Sequence, residues 1–332
     1  MARDFHILAL SGGGFRGLYT ATVLDEIEKF YRKPLAQAFD LICGTSIGGI
    51  LALGVASEIS AEKLKNIFIE HGSNVFKRNL SLTSYFVWSY LKVSLKAAYS
   101  QESLKNVLLQ YFEDKTIGDL KHRVLIPTVN CAKGKGQFLK TPHHPSFKKD
   151  YRWSLVDASL ATSAAPTYFP IFENDNGRFI DGGVVGNSPS LFGYHEAKHF
   201  LSDSEDLNIR ILSIGTANQN FGLSGSFKLD AGFLRWKSSL FDILISAQEG
   251  SANYVLGHLL GSNFYQINAQ PTPAQSKDIG LDKTDKSAVR VLTELAMTSA
   301  QDFLGSKSSE IFLKHRPATP IFYHGPNQNN ED

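Results

Sequence analysis

An α/β fold with parallel strands is what the sequence predicts, and three observations predict it. Strand-like apolar runs alternate with glycine turns and helical stretches over the first sixty residues. Further apolar runs recur later in the chain, and the composition is that of an ordinary globular protein. Phe5–Leu10 is a short apolar run that reads as a buried strand, and Ser11-Gly12-Gly13-Gly14 breaks it. Leu18–Tyr31 then carries Leu18, Val23, Leu24, Ile27 and Tyr31 at helical spacing, with Asp25, Glu26, Glu28 and Lys29 between them. Phe39–Cys43 is a second apolar run, ended by Gly44-Thr45-Ser46. Ile47–Ala56 continues as a Gly- and Ala-rich segment suited to a helix packed tightly against a sheet. Strand, turn, helix, strand, turn, helix is the order that gives parallel strands with right-handed crossovers.

Val124–Val129 and Ile209–Ile214 are further strand candidates, and Phe179-Ile180 ends another just before Asp181. Ala61–Glu70, Glu102–Phe112, Ser190–Phe200, Phe241–Leu260 and Thr284–Phe303 have helical patterns. Thr141–Asp150 is a polar, Pro-containing loop, and the polar tail Gly325–Asp332 is expected to fray. A chain of 332 residues has the length of about two domains. The sequence contains no internal repeat and no low-complexity linker. One α/β domain over 1–332 is therefore expected, with a motif core over 5–197 and a C-terminal helical region over 230–310.

Hydrophobic residues at 42% and charged residues at 20% exclude disordered, collagen-like and coiled-coil classes. Net charge is +2, from 34 Lys+Arg against 32 Asp+Glu, so nothing points to a DNA or RNA partner. Two cysteines, Cys43 and Cys131, cannot build a disulfide framework. The run Ile7–Leu10 is too short for a signal-peptide core, and no stretch approaches the ~20 apolar residues that span a bilayer. The expected compartment is the cytoplasm.

Three motifs carry chemistry. Gly44-Thr45-Ser46-Ile47-Gly48 is a Gly-x-Ser-x-Gly placed between a predicted strand and a predicted helix, where a nucleophile elbow belongs. A serine on so sharp a turn leaves little room for neighbouring side chains. The helix that follows offers unpaired N–H groups and a positive dipole end. Ser11-Gly12-Gly13-Gly14-Phe15-Arg16-Gly17 is a loop whose glycines let several N–H groups face one ligand, a cradle for an oxyanion or a phosphate. Read literally, Gly12-x-Gly14-x-x-Gly17 also matches the fingerprint of a dinucleotide-binding domain or oxidoreductase. That fingerprint wants an acidic residue near the end of the second strand, where this chain has Cys43-Gly44-Thr45-Ser46. Asp181-Gly182-Gly183 follows a strand candidate, so the glycines allow a tight turn that aims Asp181. Upstream, Ala161–Pro170 is rich in small residues. It suits a segment packed close under an active site, or a helix end broken by prolines.

Taken in their order along the chain, Gly12–Gly17, Gly44–Gly48, Ala164-Ala165-Pro166 and Asp181–Gly183 together resemble the patatin-like phospholipases. The resemblance runs from about Phe5 to about Ala197. It implies a three-layer α/β/α fold with a mostly parallel central sheet flanked by helices. It implies a Ser–Asp dyad, with Ser46 as nucleophile and Asp181 taking its proton directly. The N–H groups of Gly12, Gly13 and Gly14 would form the oxyanion hole, and Arg16 would steady the oxyanion or the lipid phosphate. Gly17, Gly44, Gly48, Gly182 and Gly183 are the motifs' structural glycines. The implied activity is phospholipase A-type hydrolysis of fatty-acyl esters in membrane phospholipids, with no cofactor and no metal.

Other readings of single motifs stand beside this one. His195, His199, His258, His315 and His324 all follow Asp181, so the chain order permits a Ser–acid–His triad. His195-Glu196-Ala197-Lys198-His199 is a literal zinc-protease pattern, but no third ligand follows at the extended motif's spacing. Gly134-Lys135-Gly136 lacks P-loop spacing, and no loop matches a calcium site.

Tyr85–Tyr99 interleaves Tyr85, Phe86, Trp88, Tyr90 and Tyr99 with Lys92 and Lys96. That mixture suits either a membrane interface, with Phe86 and Trp88 as contacts, or a core helix with a solvated lysine edge. Phe233-Leu234-Arg235-Trp236-Lys237 is a weaker candidate of the same kind. Bacterial relatives of this family include antiphage (antiviral defence) effectors switched on by cyclic oligonucleotides. The resemblance therefore implies a cyclic oligonucleotide as an activating partner, and peripheral contact with the inner face of the membrane when active. Oligomeric state, headgroup preference and the choice between sn-1 and sn-2 esters have no signature in the sequence.

Overall fold

Strand β1 (Arg3–Leu10) is buried from Phe5 to Leu10 because it has a parallel neighbour on either side, β2 (Leu41–Gly44) and β7 (Leu207–Ile214). Both faces of such a strand are covered, so its sequence reads as a continuous apolar run. The computed structural model describes residues 3–77, 97–202, 206–217, 230 and 233–329. Among these, one eight-stranded sheet has the order β5-β6-β3-β2-β1-β7-β8, with β4 paired to β3. The remaining strands are β3 (Val124–Asn130), β4 (Lys135–Lys140), β5 (Phe172–Asn174), β6 (Gly177–Asp181) and β8 (Phe264–Ile267). The central path β3-β2-β1-β7-β8 is parallel throughout, as expected. The β5–β6 hairpin and β4 are antiparallel additions at β3.

The strands alternate sides as a period of two requires. Leu8, Leu10, Ile42, Ile126, Leu212 and Ile214 join one core, and Ile7, Ala9, Leu41, Cys43, Leu125 and Ile211 join the other. Helices α1 (Gly17–Tyr31), α2 (Ile47–Ala56), α3 (Ala61–Val75), α4 (Gln101–Phe112) and α5 (Leu155–Thr162) pack on the first face. The short α6 (Gly183–Gly186) follows Asp181, and α7 (Ser190–Phe200) and α8 (Phe233–Leu260) cover the second face. Helices α9 (Lys286–Leu304) and α10 (Lys307–Lys314) return to the first face beside α1. The layers are helix, sheet, helix.

The close packing expected of Ile47–Ala56 is present. A Cβ added at Gly48 would lie 2.2 Å from the Leu10 carbonyl oxygen, so only glycine lets α2 start against the sheet. Up to Asn329 the tail is hydrogen-bonded to the body of the fold. The Asn327 amide donates to the Gly118 and Leu120 carbonyls, each at 3.1 Å, and Asn329 exchanges two hydrogen bonds with the Phe322 backbone. The Asn327 side chain caps loop carbonyls, and the Asn329 side-chain oxygen accepts a backbone N–H. Phe86 and Trp88 lie outside the described residues, as do Tyr85, Tyr90, Lys92 and Lys96. Tyr99 is buried, and its hydroxyl donates to Asp282 at 2.6 Å. Among the described residues no helix is long and apolar enough to cross a membrane.

Candidate active site

The site forms where the parallel strands end. β2 stops at Gly44, and Ser46 sits on the turn into α2 with φ 56° and ψ −125°. That backbone conformation is strained for a residue with a side chain, and its neighbours hold it there. The Ser46 N–H donates to Thr162 Oγ1 at 3.0 Å, and the Thr162 hydroxyl donates to the Pro127 carbonyl at 2.6 Å. Ser46 keeps 9% exposure, at the floor of a cavity of about 390 Å³.

The Ser46 hydroxyl donates to Asp181 Oδ2 at 2.6 Å. Asp181 closes β6, where its partner across the sheet is Thr128 of β3. Its N–H donates to the Ala164 carbonyl and the Gly182 N–H to the Thr162 carbonyl, both at 3.0 Å. The small-residue segment singled out in the sequence thus lies directly under the site. Asp181 Oδ1 accepts the Gly183 N–H at 2.6 Å. Burial pushes the Asp181 carboxyl up to about 6, against the pull of the hydrogen bonds from Ser46 and Gly183.

The glycine loop faces the same cavity, and a Cβ on Gly12 would come within 3.2 Å of Ser46 Cβ. The Gly12 N–H is already committed to the Asn187 carbonyl at 3.2 Å. Of the three glycines expected to form an oxyanion hole, Gly12 is the one whose N–H already has an acceptor. Among the described residues, the Gly13 and Gly14 N–H groups donate to nothing and are the available pair. Gly14 has φ +57°, and a Cβ there would meet the Leu281 carbonyl oxygen at 2.2 Å. The Phe15 N–H donates to that same carbonyl at 2.7 Å. Arg16 lines the cavity, with its Nε 3.4 Å from the Gly13 carbonyl. Burial pulls the Arg16 guanidinium below its ordinary value, and Glu249, Asp242 and Tyr168 draw it back up.

Asn187 and Glu249 escaped the sequence reading. The Asn187 amide donates to the Gly12 carbonyl at 3.2 Å and to Glu249 Oε2 at 2.9 Å. Glu249 Oε1 accepts the Ser11 hydroxyl at 3.1 Å. A buried carboxylate on α8 therefore ties the two loops that bracket Ser46. Asn187 had a signal in its short distance from Asp181-Gly182-Gly183. Glu249 had none, being one acidic residue within a helical pattern.

No histidine is among the described residues lining this cavity. His315 pairs with Asp40 at 2.6 Å, His258 bonds the Tyr254 carbonyl and His324 the Pro145 carbonyl. His195 and His199 meet edge to face with ring centroids 4.5 Å apart, and Glu196 between them is bound to Lys140 and His143. Among the described residues no group of three or more His, Cys, Asp or Glu could hold a metal ion.

A hydroxyl bonded to a buried carboxylate, beside two unengaged N–H donors, is the arrangement acyl transfer needs. The family described as patatin-like phospholipase matches residues 8–191. A cGAMP-activated phospholipase of Pseudomonas aeruginosa is 50% identical over 327 residues, which cover 98% of this chain and 96% of the relative. A cGAMP-activated phospholipase of Vibrio cholerae is 35% identical over 339 residues, covering 95% of this chain and 96% of that protein. An Escherichia coli protein of the same name is 35% identical over 342 residues, covering 95% and 94%. The motifs lie within the family match and the relatives align along nearly the whole chain, which belongs to the patatin-like phospholipase family.

Proposed function

We propose that the chain is a phospholipase A-type acyl hydrolase that cleaves fatty-acyl esters of membrane phospholipids through Ser46 and Asp181, and that cGAMP activates it. The observation that carries the reading is the 2.6 Å hydrogen bond from Ser46 Oγ to Asp181. Asp181 accepts the Ser46 proton as Oγ attacks the ester carbonyl carbon. The carbonyl oxygen, now negative, takes the Gly13 and Gly14 N–H groups and the positive end of α2. One such donor is worth about 10²–10³ in rate. Collapse of the tetrahedral intermediate breaks the ester C–O bond, and the lysophospholipid alkoxide leaves with the proton from Asp181. Water then gives its proton to Asp181 and attacks the acyl-Ser46 carbonyl, releasing the fatty acid and restoring the serine. With its carboxyl near 6, Asp181 is about nine-tenths ionised at pH 7 and a stronger base than an ordinary aspartate.

Activation by cGAMP rests on the names of relatives that align over at least 94% of their own length. The reading includes peripheral contact at the inner face of the membrane. It takes 1–332 as one catalytic domain, since Ser46 follows β2 and Asp181 ends β6 of one sheet.

The test is covalent labelling by a fluorophosphonate, together with fatty-acid release from phospholipid vesicles, each with and without cGAMP. Wild-type protein labels and releases fatty acid when cGAMP is present. Folded Ser46→Ala does neither. Release that persists in Ser46→Ala refutes the nucleophile, and release indifferent to cGAMP refutes the activator.

A further inference from the structure

Gly12 and Gly13 lack a Cβ, so the planar peptide unit between them turns over at little steric cost. In one orientation its N–H is available to a developing oxyanion. In the other its carbonyl takes that place and repels the charge. Two buried side chains decide between them. The Asn187 amide donates to the Gly12 carbonyl at 3.2 Å, and the Thr216 hydroxyl donates to it at 3.3 Å. Each bond alone is long, but together they occupy both lone pairs of that oxygen. A Cβ on Gly12 would lie 2.5 Å from Asn187 Oδ1, and one on Gly13 would lie 2.4 Å from Thr216 Oγ1. The two glycines are thus what admit these two side chains.

Both donors are themselves held. The Asn187 amide also donates to Glu249 Oε2 at 2.9 Å, and the Asn187 backbone carbonyl accepts the Gly12 N–H at 3.2 Å. Thr216 follows β7 and is fully buried. Gly215 before it donates its N–H to the Ile267 carbonyl at 2.9 Å, and its carbonyl accepts the Thr20 hydroxyl of α1 at 2.8 Å. In a trans peptide the N–H points opposite to the C=O, and no peptide of the described residues is cis. Holding the Gly12 carbonyl on the side of Asn187 and Thr216 therefore turns the Gly13 N–H the other way. The next unit is held by the same means, since the Gly13 carbonyl accepts the Arg16 backbone N–H at 3.1 Å.

We propose that Asn187 and Thr216 are positioning residues for the oxyanion hole: by donating to the Gly12 carbonyl they keep the Gly13 N–H aimed at the oxygen that becomes negative when Ser46 attacks. The inference rests on the proposed acyl-hydrolase reading and adds two residues that act through a peptide unit rather than on the reacting atoms. With a donor removed, the unit spends part of its time turned over, and that fraction of the protein lacks the Gly13 donor. One such donor is worth about 10²–10³ in rate, so a partial loss is readily measured.

Thr216→Val keeps the shape and removes the donor, whereas Thr216→Ser keeps the hydroxyl and loses only a methyl group. The readouts are kcat and KM on a phospholipid ester with cGAMP present, and the Ki of an alkyl trifluoromethyl ketone. Ser46 Oγ bonds to the ketone carbon, its proton passes to Asp181, and the ketone oxygen becomes an anion in the hole. Ki therefore reads the hole without turnover. Thr216→Val is expected to lower kcat at least about tenfold, to raise Ki by a similar factor and to leave KM within about twofold. Thr216→Ser stays within about threefold of wild type in all three. A merely structural role, through loss of folded protein, lowers the apparent kcat but moves neither KM nor Ki. A smaller fall in kcat, a fall with Ki unchanged, or a serine variant as impaired as the valine one overturns the proposal while leaving the hydrolase reading intact. Asn187→Ala is expected to follow Thr216→Val, and it decides by the same kcat and Ki criteria if the valine variant does not fold. Wild-type protein that cleaves no ester overturns the hydrolase reading, and this inference with it.

Discussion

Replacing Asp181 by Asn is expected to remove the proposed base and, at neutral pH, to stabilise the fold. The carboxyl has 3% exposure, and its ordinary value of 3.8 is raised to about 6 by burial. The folded protein therefore holds the Asp181 proton more tightly than the unfolded chain does. Below about pH 3.8 the group is protonated in both states and costs nothing. As pH rises from 3.8 to about 6 the buried carboxyl must ionise, and that contribution to stability is lost. At 1.36 kcal/mol per pH unit the gap amounts to about 3 kcal/mol at pH 7. Asparagine is nearly the same shape and never carries the charge. It still offers one oxygen to the Gly183 N–H, so it recovers up to that amount. The assay is denaturant unfolding of wild type and Asp181→Asn from pH 4 to pH 8. The expected advantage of the variant grows through pH 4–6 and then levels off, while fatty-acid release falls to background. A difference that is flat with pH, or a variant less stable than wild type at pH 7.5, refutes the reasoning.

Two further perturbations test the loops. Gly14→Ala forces a side chain into a backbone with φ +57° and against the Leu281 carbonyl oxygen, turning the N–H pair out of aim. Steady-state kinetics should show kcat lowered by about 10²–10³ with KM little changed. Glu249→Ala leaves the Ser11 hydroxyl and the Asn187 amide without this acceptor in a buried place, at about 1–3 kcal/mol for each group. Glu249→Gln keeps one acceptor oxygen, so unfolding and kcat measurements should rank wild type above Gln and Gln above Ala.

The parts of the fold legible in the sequence are those that sterics and burial force. β1 and β2 read as apolar runs because both faces are covered, and Ser46 is marked by glycines that the Leu10 carbonyl and its own helix impose. β4 runs from two exposed residues to a half-buried end, and β5 has three residues, so neither has an alternation to detect. Helix α8 starts at Phe233, ahead of the expected Phe241, and Phe233, Trp236 and Leu240 already keep helical spacing there. Within the site, Ser46, Asp181 and the glycine loop follow from local turn chemistry. Thr162, Asn187 and Glu249 reach their partners across 116, 175 and 238 positions, a distance no local pattern encodes.

The Phe15 N–H bond to the Leu281 carbonyl has a consequence for synthesis. A ribosome delivers about 5–20 residues per second, and the proposed nucleophile, Ser46, emerges within the first fifth of the chain. Its proposed base, Asp181, comes 135 positions later, the carboxylate that braces the loops follows with α8, and the carbonyl that seats Gly14 and Phe15 comes last, at position 281. A half-made chain holds a serine with no base and a glycine loop with no anchor. For an enzyme whose proposed substrate is the membrane of its own cell, the order of translation is itself a safeguard.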